Sequence, residues 1–368
     1  MLHYMNLHPQ PFQMIASGQK TIELRLNDEK RRRLQVGDRI LFTNTRQPEQ
    51  TVLACVRKLH PFSSFRQLYE ALSLEQCGYL PEEVKEAKPE DMYAYYSSQQ
   101  EQQWGVLGIE LTLCDEKTHK LALQHRQTLH LVPGAENAVL MIHGICCTPR
   151  HFDFLMPSIP ENWSVHSLLL DGHGGTVRDF SKASMARWKR QTEDALQDLC
   201  KTHKRVLLVG YSLGCLLGME AAQQYPQVKA MLLLNPPLHP MLHPKMVPMS
   251  LRMAFGKVNT ANPREAALFQ DIGIALEPWL WKYIGWIPRF WELLVLCGKC
   301  RPVARKIAVP CEAFLAKKDE MVSLRSRKHF ENNPSVTLHY MQEAGHSYYT
   351  EEDRRQMAFS LQKMIHNM

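Results

Sequence analysis

Residues 205–222, RVLLVGYSLGCLLGMEAA, constrain the fold more than any other stretch of the chain. Val206 to Val209 form an apolar run of strand length. Gly210-Tyr211-Ser212-Leu213-Gly214 follows, then a helix-like segment with Leu216, Leu217, Met219, Ala221 and Ala222 that ends near Pro226. Strand, sharp turn with glycine on both sides, and helix together predict a nucleophile elbow, with the Ser212 hydroxyl raised above the carboxyl end of a sheet. The glycines are required because so tight a turn leaves no room for neighbouring Cβ atoms. The helix N-terminus behind the serine offers free backbone N–H groups to developing negative charge. The alternative is a buried serine in an ordinary strand–helix turn, and only partners elsewhere in the chain decide between the two.

Those partners are present. Cys311–Ala316 reads as a strand followed by the loop Lys317-Lys318-Asp319-Glu320-Met321-Val322. Val336–Met341 reads as the last strand, followed by Glu343-Ala344-Gly345-His346-Ser347. An acid and a histidine therefore each stand just past the carboxyl end of a strand, on the same edge as Ser212, in the order Ser212, Asp319, His346. A serine hydroxyl is a poor nucleophile until a base takes its proton. His346 can take it and later return it, while Asp319 holds the imidazole tautomer and stabilises the imidazolium. Glu320 is adjacent, but side chains one residue apart diverge, so Asp319 is expected to face the ring. Two main-chain donors are expected for an oxyanion: the N–H of Leu213, just after the serine, and that of Ile145 in the loop closing the strand Asn137–Ile142. His143 in that loop reads as a brace, with ligand or base as the alternative.

Strand and helix signals alternate around the elbow. Leu121–Leu131 reads as one or two entry strands, Val165–Leu170 as a strand, Ser184–Cys200 as a helix capped by Ser184, and Ala230–Asn235 as a strand. This predicts a mostly parallel sheet covered on both faces. Asp171-Gly172-His173-Gly174-Gly175 lacks the order of a phosphate-binding loop. After Pro236-Pro237 the pattern changes. Met241, Met246, Met249 and Met253 accumulate, then Trp279, Trp281, Tyr283, Trp286, Phe290 and Trp291. Residues 236–304 are read as a cap of short helices broken by prolines. Its Met and aromatic side chains are expected to form an adaptable apolar wall for an acyl chain, or else to pack the cap onto the sheet. Cys297-Gly298-Lys299-Cys300 has no second pair at zinc spacing, so no metal site is expected.

Residues 1–117 read differently. His3–Leu7 is a short strand broken by Pro9 to Pro11, Phe12–Ile15 a short helix, and Thr21–Leu26 a strand with one wet face. Ile40–Phe42, Val52–Val56 and Gly105–Leu111 are further strands, and Phe65–Leu72 and Pro81–Tyr96 look helical. Together they predict a small mixed β-barrel. Lys20, Glu23 and Arg25 could line one cleft there, a carboxylate for a base edge and cations for a phosphate. The competing reading is an ion pair on a wet surface. The run Lys30–Arg33 reads as a solvated loop, with contact to a nucleic acid backbone as the alternative.

Charge separates the halves. Residues 1–117 hold 14 Lys and Arg against 16 Asp and Glu, and the remainder 30 against 21. The basic balance lies in the second half, where it could help attract an anionic surface or substrate, although a merely solvated face is the simpler reading. The chain opens without a basic-then-apolar leader, and charges and prolines interrupt its most apolar stretch, Leu276–Cys297, so no membrane span is expected. Ten scattered cysteines suit free thiols in a reducing cytoplasm.

Two resemblances follow. Gly18-Gln19-Lys20-Thr21-Ile22-Glu23-Leu24-Arg25, the Val36-Gly37-Asp38 turn and Tyr95-Tyr96-Ser97 ahead of Trp104–Ile109 resemble an ASCH domain, similar in fold to PUA domains. That family implies RNA or nucleotide binding. Some members are small amidohydrolases, whose functional lysine aligns with Lys20 and whose catalytic threonine is replaced here by Glu23. His143-Gly144, Gly210–Gly214, Ala316–Val322 and Gly345-His346 resemble the bacterial carboxylesterase and monoacylglycerol lipase family of α/β hydrolases. This implies hydrolysis of short or medium acyl esters, or of monoacylglycerols, without a cofactor. The expectation is an α/β fold: an α/β-hydrolase sheet with a helical cap over residues 118–368, preceded by a PUA-like barrel over 1–117. Its partners are a small-molecule ester and RNA or a nucleotide. The rival reading is an RNA or nucleotide binder with a scaffold hydrolase half, and a third is a deacylase of acylated nucleosides.

Overall fold

The structure, a computed structural model, describes every residue except Leu242 and Lys245 in the cap, and Val247 by its backbone alone. The chain divides into two compact units, Met1–Lys120 and Leu121–Met368.

The first unit contains β1 (Leu2–Leu7), α1 (Pro9–Ala16), β2 (Ile22–Leu26), β3 (Arg39–Asn44), β4 (Thr51–Phe62), α2 (Phe65–Ala71), α3 (Ser98–Trp104) and β5 (Val106–Leu113). The strands form one sheet in the order β1-β3-β4-β5-β2, antiparallel apart from the β1–β3 pair. This curled half-barrel fits a small ASCH domain. One side of its core joins Ile40, Phe42 and Ile109 to Phe12 and Ile15 of α1. The other joins Leu24 and Val106 to Phe65 and Leu68 of α2. Pro9 starts α1 rather than breaking the chain there, because its fixed φ suits a first helical turn. Residues 81–96 do not form the expected helix. They run through turns into a 3-10 turn at Pro89–Ala94, since Lys88 ahead of the proline is extended at φ −123° and ψ 144°.

Leu121–Leu131 is also corrected. α4 (Glu116–Gln124) occupies its first part, and only Thr128–His130 is a strand, β6. The second unit continues with β7 (Asn137–Ile142), β8 (Ser164–Leu168), β9 (Gly175–Thr176), α5 (Val177–Lys182), α6 (Met185–Thr202), β10 (Arg205–Tyr211), α7 (Leu213–Ala222) and β11 (Val228–Leu234). The insertion follows as α8 (Met246–Ala254), α9 (Pro263–Asp271), β12 (Ile274–Ala275), a 3-10 turn at Leu280–Trp286 and α10 (Ile287–Arg305). β13 (Cys311–Ala316), β14 (Val336–Met341) and α11 (Glu351–His366) end the chain.

The large sheet runs β14-β13-β11-β10-β7-β8-β6, parallel except for β6. Side chains alternate across β10. Val206 and Leu208 pack with Trp188 of α6, Leu216 of α7 and Leu296 of α10. Leu207 and Val209 pack with Phe152, Leu155 and Leu361 of α11. Burial on both faces is why β10 reads as an unbroken apolar run. Cys297 and Cys300 lie on the inner face of α10, and all ten cysteines are free. Among the described residues no helix is long and apolar enough to cross a membrane.

Candidate active site

β10 delivers Ser212 into a turn at φ 50° and ψ −116°, a conformation that L-residues rarely hold. Such geometry costs about 1–3 kcal/mol and persists only where surrounding structure enforces it. Here the enforcement is steric. A Cβ on Gly214 would lie 1.8 Å from the Ile142 carbonyl oxygen, and one on Gly210 would lie 2.7 Å from the Cys215 Cα. The Ser212 N–H donates to the Leu234 carbonyl at 2.9 Å, which ties the elbow to β11.

The three side chains singled out in the sequence meet. His346 Nε2 lies 3.0 Å from Ser212 Oγ, and His346 Nδ1 lies 2.8 Å from Asp319 Oδ2. Asp319 Oδ1 is held separately by the N–H groups of Met321 and Val322 at 2.7 and 2.8 Å. The carboxylate is therefore aimed before the histidine arrives. Burial by itself pulls the His346 pKa down, but the Asp319 carboxylate more than reverses this, leaving it above the ordinary histidine value. Glu320 turns away from the ring. Its Oε2 accepts the His346 backbone N–H at 3.0 Å.

Sequence reasoning missed the support beneath the histidine. Asn235 is fully buried at φ 49°. It donates to the His346 carbonyl at 2.9 Å and accepts the Ala316 N–H at 2.9 Å, joining the ends of β11, β13 and β14. The Tyr211 hydroxyl adds a bond to the His346 carbonyl at 3.1 Å. The only sequence signal was a polar residue between a strand and Pro236-Pro237.

The loop after β7 meets the elbow at Gly144, where a Cβ would stand 3.1 Å from the Ser212 Cβ. Ile145 follows directly, and Leu213 opens α7 beside the serine. His143 braces this loop. Its Nε2 accepts the Leu170 N–H at 3.0 Å, so its Nδ1 carries the proton donated to the Gly144 carbonyl at 2.8 Å. His173 braces the loop too, accepting the Cys146 N–H at 3.0 Å. Burial lowers both pKa values, that of His173 to about 4, so both rings stay neutral and fully engaged. The role of His173 lay in Asp171-Gly172-His173-Gly174, a turn from which the sequence showed only that it lacks the order of a phosphate-binding loop. A further missed element is His151, stacked on Tyr211 at 3.6 Å and bonded to Asp271 at the end of α9 at 2.8 Å. No spacing rule finds a pair 120 residues apart.

A cavity of about 490 Å³ borders Asp319 and His346. Met241, Met246, Met249, Leu268 and Met321 give it an apolar side, and Arg264, Lys317 and Lys318 stand with Glu265 and Glu320 on its polar side. The expected wall is thus half right. Methionines line the cavity and tryptophans do not. Trp279, Trp281 and Trp291 are 51%, 63% and 67% exposed, whereas Trp286 packs on Phe180 at 4.6 Å. Helical periodicity explains the split on α10, where Leu293, Leu296 and Cys297 turn inward and Phe290, Trp291 and Leu294 outward.

The first unit holds a cavity of about 620 Å³ lined by Lys20, Glu23, Arg25, Cys77, Tyr79 and Tyr96, among others. The wet face expected for Thr21–Leu26 is not a wet surface, because Glu23 is only 4% exposed. Its carboxylate sits 3.1 Å from Lys20 Nζ and 2.8 Å from Arg25 Nε. Burial disfavours the Arg25 charge, but Glu23 and then Tyr96 outweigh it and its pKa rises. In the basic run, Arg31 pairs with Asp28 at 2.6 Å and Arg32 lies over Trp104 at 5.6 Å.

Residues 139–358 match the alpha/beta hydrolase family, and residues 5–114 match the ASCH domain. A pimeloyl-[acyl-carrier protein] methyl ester esterase of Neisseria meningitidis serogroup B is 33% identical over 106 residues, 28% of this chain and 38% of that protein. A probable alcohol acetyltransferase of Wickerhamomyces anomalus is 26% identical over 145 residues, 33% of this chain and 40% of that protein. The chain therefore spans about two fifths of the length of these curated relatives. A solved structure reported with the metagenome-derived lipolytic enzymes LipS and LipT superposes with a TM-score of 0.51 at 17% identity, covering 66% of this chain and 98% of that one. This is a likeness of fold.

Proposed function

We propose, from the premise that the chain belongs to the alpha/beta hydrolase family, that it cleaves carboxylic esters through an acyl-enzyme on Ser212. The observation that carries this reading is the continuous path from Asp319 through His346 to Ser212, with links of 2.8 and 3.0 Å. His346 takes the Ser212 proton as Oγ attacks the ester carbonyl. The N–H groups of Leu213 and Ile145 receive the negative oxygen, preset by the elbow and the braced loop. His346 then protonates the departing alkoxide, and water, activated by the same ring, releases the acid. The esterase named among the relatives, and the acetyltransferase, support chemistry on an acyl group. The methionine side of the cavity suits a short or medium acyl chain or a monoacylglycerol. Replacing Ser212 with Ala should abolish turnover of p-nitrophenyl esters and labelling by a fluorophosphonate, with the fold intact. Retained turnover overturns the reading.

A second reading concerns the first unit. The cavity holding Lys20, Glu23 and Arg25 among tyrosines favours a nucleotide or RNA ligand there. Full-length protein should bind a labelled nucleotide or short RNA, and Lys20→Ala should weaken that binding. Release of acyl groups from modified nucleosides by the full chain, but not by residues 121–368, would join the two units in one reaction.

A further inference from the structure

Nine of the twenty exposed large apolar side chains among the described residues fall between Trp279 and Val295. Five of the nine lie on α10, and four lie at or within the 3-10 turn just before it. Ile287, Phe290, Trp291 and Leu294 recur at helical spacing on the outer face of α10, and the 3-10 turn carrying Trp279 and Trp281 runs directly into that helix. Monomeric proteins rarely leave such a patch uncovered without use. Its chemistry narrows the occupant. Indole rings favour a boundary between apolar chains and polar headgroups. The two carboxylates beside the patch are each paired, Glu277 with Lys282 and Glu292 with Arg289 at 3.0 Å. The flank is basic. α5 packs against the turn through Trp286 Nε1 on the Val177 carbonyl at 3.1 Å, and it carries exposed Arg178 and Lys182. Residues 121–368 hold 29 Lys and Arg against 21 Asp and Glu.

We infer that this face docks on an anionic lipid surface, with the indoles at headgroup level and Arg178 and Lys182 facing the phosphates. Apolar insertion and charge attraction then add, which is how peripheral helices bind membranes. The inference does not depend on the catalytic reading, because docking is assayed without turnover. Full-length protein and its Ser212→Ala variant should co-sediment equally with vesicles of phosphatidylcholine and phosphatidylglycerol, and less with phosphatidylcholine alone. Trp281→Glu/Trp291→Glu should lower the bound fraction about tenfold. Arg178→Glu/Lys182→Glu should remove the preference for anionic vesicles. Hydrolysis of a water-soluble p-nitrophenyl ester should stay within about twofold of the parent in both. Should the tryptophan variant not fold, Ile287→Ser and brominated-lipid quenching of the parent's fluorescence read the same contact. Absence of vesicle binding by the folded parent, binding unchanged in the variants, or a concentration-dependent dimer that the tryptophan variant abolishes would each overturn the inference.

Discussion

Both units bury a carboxylate beside a cavity, and they treat it in opposite ways. Asp319 is held on one oxygen by two backbone N–H groups and spends the other on a single imidazole. Glu23 has a cation against each oxygen, Lys20 and Arg25. The first arrangement leaves a mobile proton with one route, from Ser212 to His346. The second offers no such route, because a cation already stands against each oxygen. The contrast teaches that buried charge alone does not mark chemistry. A proton-transfer site needs a partner with a free lone pair, and Glu23 faces two cations instead. On the proposed reading the first unit's cavity binds and the second unit's reacts.

The contrast fails if Ser212→Ala leaves ester turnover intact. A fall of about 1,000-fold or more is expected, with nucleotide binding by the first unit unchanged. Asp319→Asn should come next, with kcat lower by about 100-fold or more. Its pH profile carries a second readout. The raised His346 pKa means activity should climb with pH through a value above the ordinary histidine range, since the base works only when neutral. Without the carboxylate that inflection should move down. Glu23→Gln should leave esterase activity unchanged but destabilise the first unit by about 2–3 kcal/mol, since Lys20 and Arg25 keep their charges beside a neutral amide. A shift in the urea midpoint checks it. Asn235→Ala should cost about 2 kcal/mol through two lost hydrogen bonds and a strained φ, and should lower kcat with it. Asn235→Gly, which tolerates that φ, should recover part of the stability but not the rate.

Acid should also separate the sites. His173 falls to a pKa of about 4 on folding, so the unfolded chain binds its proton first as pH drops. The stability it contributes is present above about pH 6.5 and is lost between there and pH 4. His346 has the opposite sign. Its raised pKa favours the fold below about 6.5, and that contribution is lost as pH rises through the folded value. Thermal melts across this range on the parent and on His173→Gln would divide the two effects.

Much of the second unit was legible because its signals are local. An apolar run buried on both faces, glycines flanking a serine, and an acid and a histidine each just past a strand all lie within a few residues. What stayed hidden depends on distance or on backbone dihedrals. Asn235 at positive φ and His151 meeting Asp271 leave no trace in spacing. The alternation of Thr21–Leu26 correctly predicted a strand, but alternation cannot say whether the polar side meets bulk water or a lined hollow. Residues 81–96 misled because their composition suits a helix while Pro89 forbids one at that point.

The missing space at Gly214 has a wider consequence. With the Ile142 oxygen 1.8 Å from where a methyl would stand, the turn admits no graded adjustment. On the proposed reading, tuning of what the protein accepts falls to the insertion, whose methionines line the cavity and can be exchanged without touching the turn. An evolving chain of this kind would change its diet long before it changed its chemistry.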